Sequence, residues 1–270
     1  MEYTKEHPLR VFTAFSGYDS QCLALERLKK KNPGFDYELV GWSEVEMNAI
    51  AAHNAIFPQY KDRNYGDISA INLGGQIPDF DLFTYSFPCQ SISAAGKQAG
   101  LEEGSGTRSS LLWECRKAID VKRPKFLLME NVKALLQKKF KSFFLKWVNE
   151  LDGFGYDSYY QVMNAADYGV PQHRERVFCV SIRRDGDGQT FNFPNPFPLT
   201  RTLGDVLEKS VDDRYYLTEK SLAYFSRVTD DKSHNHNFNP KKKLIQPSLS
   251  GAGQEAVSTT TSSSNGNDND

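Results

Sequence analysis

Val11-Phe12-Thr13-Ala14-Phe15-Ser16-Gly17-Tyr18-Asp19-Ser20 reads as an apolar strand over 11–15, a glycine turn and the start of a helix. Asp19 or Ser20 caps that helix, which runs over 19–31. Its end carries Lys29, Lys30 and Lys31, where positive charge meets the negative end of the helix dipole. A second strand follows over 37–42 and a second helix over 46–57. Further strands read over 81–85 and 126–129, with a helix over 109–121 between them. Phe144, Trp147, Val148 and Leu151 recur at i, i+3, i+4 and i+7, one face of another helix. A late strand reads over 177–182. Strands alternating with helices predict an α/β fold built on a doubly wound, mostly parallel sheet.

Residues 1–190 form the first domain of this reading. Charge, Gly and Pro over 183–198 predict a loop. Residues 191–247 make a second, smaller region. From Ser248 onward the chain is almost all Ser, Thr, Gly, Asn, Asp and Ala, too polar to offset its ordering entropy, and is expected to be disordered. Over 270 residues, 39% are hydrophobic and 25% charged, so most of the chain can support a core. The formal net charge is −1, so contact with a polyanion has to come from a local patch. The four cysteines, Cys22, Cys89, Cys115 and Cys179, form no Cys-x-x-Cys pair and have no His cluster beside them. Neither zinc nor a disulfide framework is expected. His7, His53, His173, His234 and His236 show no ligand spacing. Residues 1–7 hold no apolar signal core, and no apolar run approaches membrane-spanning length. The expected setting is a reducing cytoplasm, without membrane or metal.

Chemistry concentrates after the strands. Residues 86–98 read Ser-Phe-Pro-Cys-Gln-Ser-Ile-Ser-Ala-Ala-Gly-Lys-Gln and follow the apolar run 80–85. Cys89 thus stands on a Pro-led turn beyond a strand, where open α/β sheets bind ligands. A free thiol is only about 3% thiolate at neutral pH, so nearby positive charge would activate it. Arg174 and Arg176 can supply that charge. The commonest fate of a free cysteine is a buried, inert core position. Pro88 and Gln90 argue against it here, since neither suits a central strand. Cys22, Cys115 and Cys179, each inside an apolar pattern, take the inert reading. Glu130, in Met129-Glu130-Asn131-Val132, is either a solvated cap or a pocket carboxyl that shares a proton with a ring nitrogen. A thiol and a carboxyl so placed suit chemistry on a cytosine ring. Phe15-Ser16-Gly17 admits a ligand close to the backbone or is plain turn geometry. Glu44, just past the second strand, can accept from both ribose hydroxyls or is an ordinary exposed carboxylate. Asp67 can bond an adenine amine or cap a turn, and Arg108 can bond a phosphate or base oxygen or stand idle at a helix start. The absence of Gly-x-Gly-x-x-Gly after the first strand disfavours a dinucleotide-dependent dehydrogenase.

Taken in order, Phe-x-Gly at 15–17, Phe-Pro-Cys-Gln at 87–90, Glu-Asn-Val at 130–132 and Gln-x-Arg-x-Arg at 172–176 resemble the DNA cytosine-5 methyltransferases. The likeness runs from about Arg10 to Ile182 and includes Gly-Lys-Gln at 96–98 and Asp-Tyr-Gly-Val-Pro-Gln at 167–172. The resemblance implies a Rossmann-like fold that uses S-adenosylmethionine. Phe15, Ser16, Gly17, Glu44, Asp67 and Pro88 would hold the donor, with Glu44 on the ribose and Asp67 on the adenine. Cys89 would attack C6 of cytosine, and Glu130 would bond N3 and the exocyclic amine. Arg176 and Arg174 would hold the base's oxygen or orient Glu130. Gln90, Ser91, Ser93, Lys97 and Arg108 would contact DNA or the extruded base. DNA is the implied partner, in a bacterial or phage restriction–modification setting and associated with the nucleoid. RNA cytosine-5 methylation and a non-catalytic binding subunit are the rival readings.

Two departures from the family stand out. Thr13 replaces an acidic residue usual two positions before Phe15, and Gly17-Tyr18-Asp19-Ser20 replaces a more glycine-rich run. Asp19 is expected to stand in for the acid near the donor's ammonium. The recognition region is short, and no apolar helix follows Gly266-Asn267. The resemblance therefore implies a catalytic half that works with a complementing C-terminal fragment or subunit.

Overall fold

A computed structural model describes residues 3–88, 108–185 and 190–230. The chain divides into two compact units, Met1–Leu207 and Glu208–Asp270. The first contains β1 (Leu9–Ala14), α1 (Ser20–Lys31), β2 (Tyr37–Ser43), α2 (Met47–Ile56) and β3 (Leu82–Tyr85). It continues with α3 (Leu112–Lys122), β4 (Phe126–Val132), α4 (Lys141–Gly153), β5 (Tyr156–Asn164) and β6 (Glu175–Arg183). The second holds α5 (Glu219–Asp230), whose start is capped by Thr218 Oγ1 accepting from Ser221 N at 3.2 Å.

Six strands form one sheet in the order β2-β1-β3-β4-β6-β5. The pairs β1/β2, β1/β3 and β3/β4 are parallel, whereas β4/β6 and β5/β6 are antiparallel. The mostly parallel, doubly wound sheet is therefore present, with an antiparallel margin that the strand–helix alternation did not reveal. β5 is the strand that the sequence reading missed. Its residues are half-buried to exposed beyond Tyr156, so its polar edge carries no apolar run to announce it.

Both faces of the sheet are covered. Along β1, Leu9 and Val11 face one core with Cys22, Leu39, Trp42 and Phe57. Phe12 and Ala14 face the larger core with Phe83, Tyr85, Trp113, Phe144 and Trp147. That alternation is the period of two expected of a strand buried on both sides. β2 keeps the pattern only by a register shift: Val11 pairs with Leu39 but Phe12 with Gly41. The extra residue turns Trp42 toward the smaller core with Tyr37 and Leu39, where an unbulged strand would point it the other way. Gly41 is obligatory here, since a Cβ would lie 2.6 Å from the Tyr65 ring and 2.9 Å from Phe12.

β1 passes leftward to β2, and the chain then crosses back to β3 on the other side of β1. The sheet therefore changes direction between β1 and β3, and the crevice beyond their C-terminal ends is where such sheets bind ligands.

Candidate active site

The β1–α1 turn is wound tightly. Phe15, Gly17 and Asp19 all have positive φ, at 56°, 58° and 64°. Left-handed backbone at Phe15 and Asp19 costs on the order of 1–3 kcal/mol each and persists only where surroundings enforce it. The enforcing bonds are present. Ser16 N donates to Ser43 O at 3.3 Å, and Ser16 Oγ donates to Thr13 O at 3.1 Å. Thr13 Oγ1 donates to Asp19 Oδ2 at 2.7 Å, and Cys22 N donates to Asp19 Oδ1 at 3.1 Å. Gly17 N donates to Glu44 Oε2 at 2.9 Å. A Cβ on Gly17 would meet nothing within 4 Å, so the turn opens outward at that point.

Asp19 departs from its expected role. Its side chain is fully buried, and both oxygens are occupied by Thr13 and the first turn of α1. It fixes the turn from beneath, with its buried oxygens taken up by the protein itself. The acid that is missing at position 13 has in effect moved six residues on, and Thr13 now hydrogen-bonds to it.

Glu44 stands directly past β2. Besides Gly17 N, its carboxylate accepts from Val45 N at 2.8 Å and Glu46 N at 2.9 Å. Asn64 ties the next segment to it: Asn64 Oδ1 accepts from Glu44 N and Gly66 N, and Asn64 Nδ2 donates to Glu44 O. Ser43 Oγ donates to Gly66 O at 2.6 Å. Gly17, Glu44 and the Gly66-Asp67 turn are thereby gathered at one sheet end. Asp67 is exposed and caps a short 3-10 turn, accepting from Ser69 N at 2.9 Å and Ser69 Oγ at 2.7 Å through Oδ1. Asn64 was not foreseen, since an amide in a loop gives no periodic signal.

A second cluster lies beyond β3 and β4. Ser86 N donates to Ala14 O, which holds the end of β3 beside the end of β1. The alternation of β4 puts Asn131 on the face of Leu127 and Met129, where it is buried. There Asn131 Nδ2 donates to Phe87 O at 3.0 Å, and its Oδ1 accepts from Val132 N at 2.9 Å. Phe87 is buried too, so the backbone is clamped up to Pro88. Cys89 is the next residue; it, Gln90, Ser91, Ser93 and Lys97 lie outside the described residues. Arg108 opens the 3-10 turn Arg108–Leu111 that leads into α3.

Glu130 projects from the opposite face of β4. It pairs in register with Phe178, and Val132 pairs with Arg176, so Glu130 and Arg176 are diagonal neighbours on one face. Arg176 Nε lies 3.1 Å from Glu130 Oε1, with side-chain exposures of 24% and 21%, low enough for strong pairing yet open to a ligand. Burial raises the Glu130 carboxyl above the usual range, against the opposing pull of Arg176, Arg174 and the Ser86 hydroxyl. Arg174 is exposed, and its N–H donates to Asn164 Oδ1 at 3.0 Å. The inert thiols are as expected. Cys22, Cys115 and Cys179 are buried, and burial pushes Cys179 up to about 11 and the other two well above their ordinary value. Among the described residues no cysteine is a candidate nucleophile.

A mostly parallel sheet with an open glycine turn and carboxylate at its switch point, and an ion-paired carboxylate two strands on, defines a Rossmann-like methyltransferase architecture. The sequence profile described as C-5 cytosine-specific DNA methylase matches residues 9–268. The chain belongs to that family, the DNA (cytosine-5-)-methyltransferases. It is 40% identical over 266 residues to the type II methyltransferase M2.ScrFI of Lactococcus lactis subsp. cremoris, covering 80% of this chain and 72% of that protein. It is 33% identical over 299 residues to the orphan methyltransferase M.SssI of Spiroplasma monobiae, covering 89% and 74%. The fold matches the crystal structure of the S. pombe Dnmt2 methyltransferase with a TM-score of 0.57 at 18% identity, over 81% of this chain and 66% of that one. The chain thus spans about three quarters of the length of these curated relatives.

Proposed function

We propose that this chain methylates C5 of cytosine in DNA through a covalent bond between Cys89 and C6. The observation that carries the reading is the Glu130–Arg176 pair at 3.1 Å, held at a strand end beside the clamped residues that lead into Cys89. S-adenosylmethionine, when bound, supplies an electrophilic methyl group on a sulfonium. The residues present fit it: the turn at Gly17 is open, the first amides of α1 favour polar groups, and Glu44 and Asp67 line the same sheet end. Phe15, Ser16, Gly17, Glu44, Asp67 and Pro88 are the residues we assign to holding it.

Cys89 contributes the electron pair that forms the S–C6 bond, which leaves C5 electron-rich. Glu130, whose carboxyl burial favours the protonated form, shares a proton with N3 and accepts from the exocyclic amine. Arg176 and Arg174 hold that carboxylate in place and draw the thiol toward its thiolate. After alkylation, the C5 proton leaves to a base, the C5–C6 double bond re-forms and the thiolate departs. The C6 atom is inaccessible inside a duplex, so the cytosine is extruded at a few kcal/mol.

Contact with DNA rests on local charge. Residues 131–149 contain Lys133, Lys138, Lys139, Lys141 and Lys146 and no acidic residue, and all five lysines are exposed. This stretch follows Glu130 along the chain and gives it a local run of positive charge despite the overall net charge of −1, with Lys133 paired to Glu175 at 2.7 Å. Gln90, Ser93, Lys97 and Arg108 are assigned to DNA and base contacts on the family resemblance. The names of the relatives, a type II and an orphan methyltransferase, make a restriction–modification or orphan methylation role the reading for the cell. Bacterial and phage relatives point to cytoplasmic action near DNA, and no helix among the described residues is long and apolar enough to cross a membrane.

The test is trapping on DNA that carries 5-fluorocytosine, which blocks loss of the C5 substituent and freezes the adduct. Wild-type chain is expected to form a denaturation-resistant complex, and Cys89→Ser none. Matched RNA is run beside the DNA. Equal labelling by Cys89→Ser would refute the thiol chemistry, and trapping on RNA alone would move the substrate.

A further inference from the structure

We propose that Ser86 and Gln21 are positioning residues for Glu130, joined in a hydrogen-bond line that runs from the donor-side turn to the carboxylate. This role rests on the reading of Glu130 as the group that holds the cytosine.

The line can be followed atom by atom. Ser20 Oγ donates to Gln21 Oε1 at 3.0 Å, which fixes which end of the Gln21 amide faces forward. Gln21 Nε2 then donates to Ser86 Oγ at 3.1 Å. A serine hydroxyl has one proton to give, and with a donor already on its oxygen that proton is available to an acceptor. The acceptor is Glu130: β3 and β4 pair Tyr85 with Met129, so the parallel register sets Ser86 beside Glu130 one step on, and the Ser86 hydroxyl favours the ionised carboxylate. Arg176 Nε approaches Glu130 Oε1 at 3.1 Å from the β6 side. The carboxylate is therefore gripped from two strands. Arg176 alone would leave it free to swing about the bond to Cδ, and a second donor from β3 removes that freedom.

Gln21 lies in the first turn of α1, directly after the strained 15–19 turn that the buried Asp19 holds. Ser86 is itself pinned to β1 through its N–H to Ala14 O. A shift of the β1–α1 turn thus has a direct path to the orientation of Glu130. Among the described residues the charged groups that act on Glu130 are Arg176 in β6 and Arg174 just before it; the residue after β3 and the first turn of α1 contribute the neutral Ser86 and Gln21. The hydroxyl proton is the one part of the grip that a neutral substitution can delete without touching the ion pair.

The experiment uses the full chain labelled with 13C at glutamate carboxyls, with Glu130→Gln to assign the resonance. In Ser86→Ala the Glu130 midpoint is expected to move to higher pH, because a donor to the ionised form is gone. Ser86→Thr, which keeps the hydroxyl, should titrate as wild type, and Gln21→Ala should move the midpoint the same way as Ser86→Ala but less. In methylation assays kcat/KM for DNA should fall roughly tenfold to a hundredfold in Ser86→Ala, as expected for a misplaced reacting group, with recovery in Ser86→Thr. A Ser86→Ala chain that melts as wild type yet leaves the Glu130 titration unmoved would overturn the proposal. Failure of the adduct test at Cys89 would instead remove the cytosine reading while leaving this titration result intact.

Discussion

At the residue scale, Gly17 and Glu130 illustrate opposite relations between stability and function. Gly17 has φ of +58° and open space where a Cβ would stand, so Gly17→Ala introduces backbone strain without a clash. A loss of about 1 kcal/mol is expected in urea unfolding, together with weaker donor binding by calorimetry; unchanged stability would mean that the turn relaxes freely. Glu130 works the other way. Its carboxyl is raised in the folded chain, with burial as the main cause, so the fold binds that proton more tightly than the unfolded chain does. The corresponding stability is present below the unfolded value and is lost as pH rises through the folded one. Above the folded value the wild-type chain therefore bears an ionised, partly desolvated carboxylate that Glu130→Gln lacks. The variant should unfold at higher urea than wild type at pH 8, with the gap closing toward pH 4, while methyl transfer is lost. A gap independent of pH would contradict this account. Cys89 stands out in the sequence by its Pro-led turn, and Glu130 and Arg176 by their strand ends. The ion pair between the last two is a cross-strand diagonal, which depends on register and is invisible along the chain.

At the scale of elements, β2 shows how one residue sets a strand's two faces. The register shift opposite Val11 and Phe12 lets Trp42 join the smaller core, and Gly41 is the position where two aromatic rings close over the backbone. Gly41→Ala would force the Tyr65 and Phe12 rings aside and should cost about 1–3 kcal/mol, read as a lowered urea midpoint with an unchanged slope. If the midpoint does not move, the bulge is more pliant than its packing implies. The helices of the first unit were legible because their signals are local, whereas α5 was not read from the sequence. The α4 face through Phe144, Trp147 and Leu151 is buried as the spacing predicts, and α1 ends on its three lysines. β5 was not legible, because an edge strand needs no apolar run, and only pairing with β6 identifies it.

For the whole molecule, a net charge of −1 implies weak general attraction to DNA. Affinity should therefore depend on the lysine run after Glu130. Replacing exposed Lys138 and Lys141 together with Ala should lower the slope of log affinity against log salt by about 2, near 0.9 for each phosphate that is no longer neutralised. Fluorescence anisotropy on a non-target duplex reads that slope, and an unchanged value would place the DNA elsewhere.

The sequence by itself determined the order of strands and helices in the first unit other than β5, the place of the carboxylate near the end of β4, and the family, because periodicity, turns and contiguous motifs are properties of neighbouring residues. Tertiary structure alone decided that Asp19 turns inward to Thr13, that Asn131 clamps Phe87, and that Glu130 meets Arg176 across the β4/β6 register. Each of these joins residues brought together by sheet register and by the wrapping of a helix onto a strand end. Such distances are set by packing energy summed over the whole core, and no local stretch of chain encodes that sum.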